Sequence, residues 1–306
     1  MISNFLFHRV SPERDKLWDP MDVKLFEKCI KYISTKYSVE LFEDLVSSGN
    51  ISKRNKVATI MFDDGYKDNI EFAKPILDKY NVKASFYVVT DCIDRNLPTW
   101  THVLEYSFQN TDVSDLLMDF NFLPKEFRIT EIKTHSERIN YVSKLKPYLK
   151  TISHEDRSKV LKRVTDTYKD VKLPKLMMNW DDLRQLKAEG HYIGSHTKYH
   201  NMLGTMSEKN DVREELHLSA LRIEEMLGYF PLTISYPVGS FNDTTKKISK
   251  ELGYKIGLAV KQNIYNPSAE DLFEVSRIEL YNEPWLKTKL RITNTLEKIK
   301  SLIKYK

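Results

Sequence analysis

The sequence predicts an α/β protein, a barrel-like arrangement of parallel strands and helices with a mostly helical insertion at residues 97–176. Two observations lead to this prediction. Apolar strand-like runs alternate with amphipathic helical patterns on both sides of that segment. The segment itself is rich in lysine, helical in pattern and interrupted by four prolines, namely Pro98, Pro124, Pro147 and Pro174. We expect residues 1–306 to form one domain that carries this insertion.

The predicted elements follow one another along the chain. A short strand is expected at 3–10, an amphipathic helix at 22–37, and a strand–helix–strand unit at 57–90. After the insertion the alternation returns, with a helix and a strand within 177–196, a helix at 207–227, a strand at 232–237, a helix at 243–252 and a strand at 254–260.

The composition indicates a soluble globular protein. Of 306 residues, 41% are hydrophobic and 30% are charged, which excludes a disordered chain. No apolar run is long enough to cross a bilayer, and the N-terminal stretch lacks the pattern of a signal peptide. Two cysteines are too few for a disulfide scaffold, so we expect a reducing, cytoplasmic location. The net charge of +5 gives no reason to expect nucleic acid as a partner.

Two acidic residues end the first strand of the unit at 57–90. Asp63 and Asp64 follow the β-prone run ATIMF and precede Gly65. Asp-Gly could form a simple hairpin turn, but a helical pattern comes next rather than a second strand. The pair therefore lies at the carboxyl end of a parallel strand, where α/β folds place their chemistry. Adjacent carboxylates repel each other unless a cation joins them.

His196 and His200 also follow a predicted strand. Their spacing of four residues brings both imidazoles to one side of a helical turn. As an isolated pair they could be surface or capping histidines. Two imidazoles and one carboxylate, however, form a three-ligand set for a catalytic divalent metal and leave room for water and substrate. At the same edge of the predicted barrel, a carboxylate of the acidic pair would therefore complete the ligand set of the histidines. The bound cation would in turn offset the repulsion between the two carboxylates.

These motifs resemble those of the polysaccharide deacetylases, also called the NodB-homology family or family-four carbohydrate esterases. FDDG at 62–65 is similar to the first motif of the family, and SHTKYH at 195–200 is similar to the second. SYPVG at 235–239 looks like the third. The resemblance covers most of the chain outside the insertion and implies the distorted (β/α) barrel of that family.

The resemblance also implies roles for these residues. Asp64, His196 and His200 would hold a divalent metal, zinc by default, although Co²⁺, Ni²⁺ or Fe²⁺ would tolerate the same ligands. Asp63 would be the general base, and the backbone N–H of Val238 would help to form the oxyanion hole. The implied reaction is hydrolysis of the acetamide of an N-acetylated sugar in a polysaccharide or glycan precursor.

The sequence departs from the family pattern in two places, the third motif and the C-terminal region, and in the third motif Val238 stands where the family carries a tyrosine. The third motif has Ser235 where the family carries an arginine. Arg277 follows a strand-like run and is our candidate for orienting Asp63 instead. Tyr236 and Trp180 are further candidates for orienting the site or contacting the substrate. The second departure is the missing C-terminal Leu-x-His motif, the usual source of the general acid.

His8 is the candidate for the missing acid. The run FLFHRV places it near the end of the first predicted strand. A Phe/Tyr-His-Arg-Val start resembles one bacterial branch of the family, in which the order of the barrel strands looks permuted. That branch also tends to carry a tryptophan and an acidic residue before the second motif, as Trp180 and Asp181 do here. His8 could instead be a packed core histidine. We expect His191 to be structural and His102 to be solvated.

Two other functions stay open. The same metal chemistry could remove a formyl or another amide-linked group, for example from a lipid-linked sugar. Alternatively, the chain could bind a metal and a carbohydrate without turnover, since it lacks the arginine and the C-terminal histidine of the family. The sequence does not specify the sugar or its linkage, which we expect the insertion at 97–176 to decide.

The last predicted element is a basic amphipathic helix at 286–306. Its lysines and arginines outnumber a single acid, Glu297, and its apolar residues recur at helical spacing. The apolar face could pack on the barrel. It could also lie on an anionic membrane surface, which would suit an enzyme that acts on a lipid-linked precursor at the inner face of the membrane.

Overall fold

The computed structural model describes residues 1–49, 51, 56–128 and 131–297. Within these residues, eight strands form one parallel sheet. The strands are β1 (Ile2–Phe7), β2 (Ser38–Val39), β3 (Val57–Phe62), β4 (Ser85–Val88), β5 (Tyr192–Ser195), β6 (Thr233–Ser235), β7 (Ile256–Leu258) and β8 (Ile278–Glu279). Their order is β7-β6-β5-β4-β3-β1-β8, and β2 pairs with the beginning of β3.

Helices connect the strands and surround the sheet. They are α1 (Val23–Lys36), α2 (Phe42–Ser47), α3 (Lys74–Lys79), α4 (Thr90–Arg95), α5 (Trp100–Asn110), α6 (Lys125–Arg128), α7 (His135–Leu149), α8 (His154–Thr167), α9 (Trp180–Ala188), α10 (Lys209–Leu227), α11 (Asp243–Leu252) and α12 (Trp285–Ile292). A π-helical turn at Asn69–Ala73 leads into α3. Every residue of β1, β3 and β4 is buried, as expected for parallel strands that are covered on both faces.

The pairing of β1 with β3 sets the position of two predicted site residues. The register runs from Ile2 opposite Val57 to Phe7 opposite Phe62. The N–H of Asp63 still donates to the carbonyl of Phe7, at 3.1 Å. The residues that directly follow these strands therefore leave the sheet at the same edge.

The segment that leads into β8 joins the two edges of the sheet. The N–H of Ala259, just after β7, donates to the carbonyl of Val275 at 2.9 Å. The N–H of Leu280 donates to the carbonyl of Leu6 in β1, also at 2.9 Å. The sheet thereby closes into a distorted (β/α) barrel, and the predicted fold class is confirmed.

The segment 97–176 folds into helices α5, α6, α7 and α8. These helices share a hydrophobic cluster of their own, which includes Leu104, Phe108, Val142, Leu145 and Val160. A capping box between Thr134 and Glu137 fixes the start of α7. The segment is helical, as its pattern indicated. The assignment of residues 1–306 to a single domain stays a prediction.

A turn interrupts the predicted C-terminal helix of 286–306, and residues 295–297 are helical again. α12 ends at Ile292, and a turn follows in which Asn294 has a φ of +55°. Nε of Arg291 donates to Oε1 of Glu283 at 2.8 Å and Ile292 is fully buried, so α12 packs against the barrel. Within the described residues no helix has the length and apolar character that a membrane span requires. Residues 298–306 lie outside the description, and contact with a membrane stays a prediction.

Candidate active site

A cavity at the carboxyl ends of the strands brings together the residues proposed for catalysis and metal binding. Each comes from the loop that follows a strand, as is usual for barrels of this class. The cavity is lined by His8, Asp63, Asp64, His196, His200 and Val238, together with Trp18, Thr101, Glu105, Lys146, Lys150, Val260 and Glu279.

Asp64, His196 and His200 form a compact set of donors. The Nε2 atom of His196 lies 3.4 Å from Oδ1 of Asp64, and Nε2 of His200 lies 3.3 Å from the same oxygen. Two ligand atoms that are each about 2.0 Å from a tetrahedral zinc ion are about 3.3 Å apart. Oδ1 of Asp64 is buried without a hydrogen-bond partner among the described residues. A divalent cation would satisfy this oxygen, so the three residues fit a metal site.

Backbone contacts hold the two imidazoles in place. Nδ1 of His196 donates to the carbonyl of Ser235 at 2.8 Å, which directs the lone pair of Nε2 toward Asp64 when the ring is neutral. The backbone N–H of His200 donates to Oγ1 of Thr197 at 3.1 Å. The indole N–H of Trp100, in the insertion, donates to the carbonyl of His200 at 3.0 Å. The insertion therefore supports the loop that carries the second imidazole.

The charges of the donor set favour a bound cation. Burial disfavours the charged form of Asp64, but the two imidazoles outweigh it and hold the pKa of this carboxyl well below its ordinary value. Burial lowers the pKa of His200. Burial also opposes the charged form of His196, but Asp63 and Asp64 raise the pKa of that ring above its ordinary value. A proton and a metal therefore compete for Nε2 of His196.

Asp63 is held by Arg277 and Ser235. Nη1 of Arg277 donates to Oδ1 of Asp63 and Nη2 donates to Oδ2, both at 2.9 Å. Oγ of Ser235 donates to Oδ2 at 3.0 Å and accepts from Nη2 at 2.9 Å. Burial would raise the pKa of Asp63, but Arg277 and His196 lower it below its ordinary value. Asp63 is thus an ionised carboxylate with a fixed orientation.

Arg277 owes its position to the closure of the barrel. Nε of Arg277 donates to the carbonyl of Ala259, just after β7, at 3.0 Å. The residue that follows Arg277 begins β8, which pairs with β1. The side chain is fully buried. The structure therefore brings our candidate for orienting Asp63 into direct contact with it, next to Ser235, where the family motif carries its arginine.

His8 borders the cavity and is partly accessible, with 23% of its side chain exposed. Its Nδ1 lies 3.5 Å from Oε1 of Glu279. The ring makes an edge contact with Trp18, with 5.8 Å between ring centroids. This environment differs from that of a packed core histidine, and it leaves the imidazole open to a ligand in the cavity.

Left-handed backbone conformations are concentrated in the loops of the site. Asp64, Thr197, His200 and Val238 have φ values of 76°, 66°, 62° and 57°. Such conformations cost about 1–3 kcal/mol each and persist where the surrounding structure enforces them. The conformation of Val238 is the least expected, because a β-branched side chain disfavours it. The fold maintains this strain at the proposed site.

Tyr236 and Trp180 do not line the cavity, which corrects our interpretation of them as orienting or substrate-contacting residues. Tyr236 is fully buried, and its ring stacks on Phe241 with 4.8 Å between centroids. The indole N–H of Trp180 donates to Oδ1 of Asp94 at 2.7 Å. Tyr236 is a core residue because its side chain packs in a hydrophobic cluster that includes Leu203, Ile248 and Phe273. Trp180 fastens the start of α9 to α4.

Two further histidines are buried away from the donor set. His102 was expected to be solvated, but its Nδ1 lies 3.1 Å from the hydroxyl of Tyr66, and burial lowers its pKa to about 4. Nδ1 of His191 accepts a hydrogen bond from the N–H of Ala84 at 3.1 Å, and burial lowers its pKa to about 4 as well. Both are structural in this arrangement.

The sequence did not reveal which residues of the insertion reach the cavity. Thr101 and Glu105 come from α5, Lys146 comes from α7, and Lys150 directly follows α7. The helical pattern shows which face of each helix is apolar. It does not show which polar side chains face the barrel, because that depends on how the insertion docks.

The comparisons with known proteins agree with this architecture. A family model described as polysaccharide deacetylase matches residues 50–257, more than half of the chain. The deacetylase PplD of Streptococcus pyogenes, solved in complex with acetate, has a TM-score of 0.62 at 19% identity, covering 95% of this chain and 97% of that one. A de-N-acetylase of Aggregatibacter actinomycetemcomitans has a TM-score of 0.60 at 17% identity, covering 95% and 99%.

IcaB from Ammonifex degensii has a TM-score of 0.61 at 15% identity, covering 95% of this chain and 96% of that chain. No curated protein sequence gives a significant match. At these identities the solved structures establish the fold, and the family model establishes the relationship in sequence. The chain therefore belongs to the polysaccharide deacetylase family.

Proposed function

We propose that the protein is a metal-dependent N-deacetylase that hydrolyses the acetamide of an N-acetylated sugar in a polysaccharide or glycan precursor. One observation carries the proposal. Asp63, a carboxylate held in a fixed orientation, lies directly beside the donor set of Asp64, His196 and His200 in one cavity. Membership of the family supplies the reaction class, the deacetylation of a carbohydrate.

The donor set suits a divalent transition metal. Zinc is the proposed ion, because two imidazoles and one carboxylate are typical ligands of catalytic zinc, and Co²⁺, Ni²⁺ or Fe²⁺ accept the same set. When bound, such an ion polarises a carbonyl and makes water more acidic. The three residues line the cavity, and a four-coordinate ion held by them would have one position left for water or substrate.

Asp63 is the proposed general base. Oδ2 accepts from both Arg277 and Ser235, whereas Oδ1 accepts from Arg277 alone among the described residues and keeps a second lone pair that can accept a proton from water. Its low pKa keeps it ionised at neutral pH. Arg277 and Ser235 restrict its rotation, which favours a single direction of proton transfer.

Two further groups complete the proposed reaction. The backbone N–H of Val238 is the proposed donor to the developing oxyanion, and one such donor contributes about 3 kcal/mol in comparable sites. His8 is the proposed general acid, which protonates the amine as the C–N bond breaks. Protonation is needed because an amine anion is a very poor leaving group. Glu279 lies close enough to His8 to hold its ring in position.

Acetate release tests the proposal. The substrates would be N-acetylhexosamine oligomers and nucleotide sugars, assayed with chelated protein before and after Zn²⁺ is added back. We expect release of acetate only after the metal is restored. Formate release from N-formyl analogues would favour a deformylase instead. Stoichiometric metal without release of either acid would contradict the proposed activity and favour a carbohydrate-binding protein.

A further inference from the structure

Two lysines of the insertion line the cavity that contains the donor set. Lys146 lies in the last turn of α7, and Lys150 follows four residues later, directly after the helix. Side chains with this spacing lie on the same side of a helix. The two ammonium groups therefore belong to the wall of the cavity that the insertion provides.

The two lysines differ in their partners. Lys146 forms an ion pair with Glu105 of α5, whose carboxylate is buried. Lys150 is partly buried, and among the described residues no carboxylate lies within ion-pair distance of it. Lys146 therefore has its counter-ion within the fold, whereas the ammonium group of Lys150 is available to a ligand in the cavity.

The remaining charges of the cavity also favour an anion. The carboxylate of Asp63 is neutralised by Arg277, and that of Glu105 is neutralised by Lys146. Glu279 lies beside His8, so the charged groups of the cavity without a lysine or arginine partner are the carboxylate of Asp64, within the donor set, and the ammonium group of Lys150. A divalent cation on the donor set would leave this cavity with an excess of positive charge.

We propose that Lys150 binds an anionic group, a phosphate or a carboxylate, that the substrate carries close to the acetylated amine. This inference rests on the proposed deacetylase function and names the class of substrate. An ammonium group offers three donors around a point charge, which suits the oxygens of either anion. Lys146 lies one turn away and adds to the positive potential of the same wall.

The environment of Lys150 supports this assignment. Burial lowers the pKa of Lys150, and Lys146 lowers it further, while Glu105, Glu279 and Asp64 favour its charged form from a distance. A cation that has lost part of its hydration gains more from a direct anionic partner than an exposed one does. Among neutral sugars the same ammonium group would find only weaker hydroxyl partners.

Kinetics with matched substrates test the proposal. The probes are N-acetylglucosamine 1-phosphate, N-acetylmuramic acid and the uncharged methyl N-acetylglucosaminide, each assayed with zinc-loaded protein. We expect kcat/KM for one of the two charged probes to exceed that for the neutral probe by about 10-fold or more. The charged probe with the higher kcat/KM shows whether the bound anion is a phosphate or a carboxylate.

Variants locate the effect. Lys150→Gln should abolish the preference for the charged probe, mainly through KM, and lower kcat/KM for the neutral probe far less. Lys150→Arg retains the charge and should restore most of the preference. Lys144→Gln is the matched control, because Lys144 is an exposed residue of the same helix and its loss changes the net charge equally. Equal kcat/KM for charged and neutral probes in the wild-type protein would overturn the proposal.

A binding measurement separates this proposal from the catalytic one. Glucose 1-phosphate, glucuronic acid and methyl glucoside carry no acetamide and can be titrated calorimetrically without turnover. We expect one of the two anions to bind, with affinity lowered about 10-fold by Lys150→Gln and lowered by added salt. Lys150-dependent binding without acetate release would support this proposal and contradict the deacetylase function. Acetate release with anion binding that is unaffected by Lys150→Gln would overturn this proposal alone.

Discussion

Arg277 contacts both carboxylate oxygens of Asp63 through two hydrogen bonds of 2.9 Å, although 214 residues separate the two along the chain. The pair is fully enclosed, with 0% of the arginine side chain and 3% of the aspartate side chain exposed. A planar guanidinium fixes a carboxylate in two directions at once, which a single point charge does not do. The geometry therefore assigns to Arg277 the role of positioning the proposed base.

We expect Arg277→Lys to lower kcat about 10–100-fold while the bound metal stays stoichiometric, because lysine retains the charge and loses the fork. Arg277→Met should also lower the free energy of unfolding by about 3–5 kcal/mol, since it leaves a buried carboxylate without its partner. Steady-state kinetics, metal analysis and urea unfolding measure these effects. Arg213→Lys, which alters an exposed ion pair with Glu251, serves as control. Wild-type kcat in Arg277→Lys would contradict the positioning role.

The ligands and the base can be separated by their effects on metal content. Asp64→Ala or His200→Ala should lose the metal, because each removes one of three ligands. Asp63→Asn should keep the metal and lower turnover by about 100-fold or more. Elemental analysis after dialysis measures the metal, and His102→Gln, a buried histidine outside the donor set, is the control. Stoichiometric metal in both ligand variants would show that the donor set is misassigned.

His8→Ala should slow the hydrolysis of amide substrates far more than that of an activated aryl acetate. A phenolate leaves without a proton, whereas an amine needs one. We expect the ratio of kcat/KM for the amide to kcat/KM for the aryl acetate to fall about 100-fold or more relative to wild type. Equal losses on both substrates would instead identify His8 as a packing or binding residue.

Acid should destabilise the protein through His191. Its Nδ1 accepts from the N–H of Ala84, and burial lowers its pKa from 6.5 to about 4. Between these values the unfolded chain binds a proton that the folded protein does not, so stability is complete above pH 6.5 and falls as the pH approaches 4. The loss from this group is at most about 3 kcal/mol.

His191→Asn tests this account, because the amide oxygen of asparagine can accept from the same N–H without titrating. Urea unfolding at several pH values should show a smaller decline in the free energy of unfolding below pH 6.5 for the variant. An identical decline in both proteins would assign the acid sensitivity to other groups.

Local patterns were sufficient to place predicted site residues in the loops that directly follow strands. Asp63, Asp64, His196 and His200 could be placed at one edge because the carboxyl ends of parallel strands converge there. The contact of Arg277 with Asp63, in contrast, depends on how the barrel closes. Closure involves strands at opposite ends of the chain, and no local pattern encodes it.

The remaining differences have the same origin. Lys146, Lys150 and Glu105 could not be assigned to the cavity from the sequence, because helical periodicity does not specify how the insertion docks on the barrel. His102 also belongs to the insertion, and its burial against Tyr66 likewise depends on how the insertion docks on the barrel. The turn at Asn294, which interrupts the predicted C-terminal helix, was also missed, because an apolar repeat does not reveal such a break.

The contact between Asp63 and Arg277 also means that the donor set is synthesised before the residue that orients Asp63. A nascent chain that has emerged as far as β7 already contains Asp64, His196 and His200, but it still lacks the arginine that positions the base. Arg277 enters with the segment that pairs with β1, the earliest of the eight strands in chain order. Under the proposed mechanism, hydrolytic activity therefore requires β8 to pair with β1, and a chain that stops before β8 keeps the three proposed metal ligands but lacks the residue that orients the proposed base.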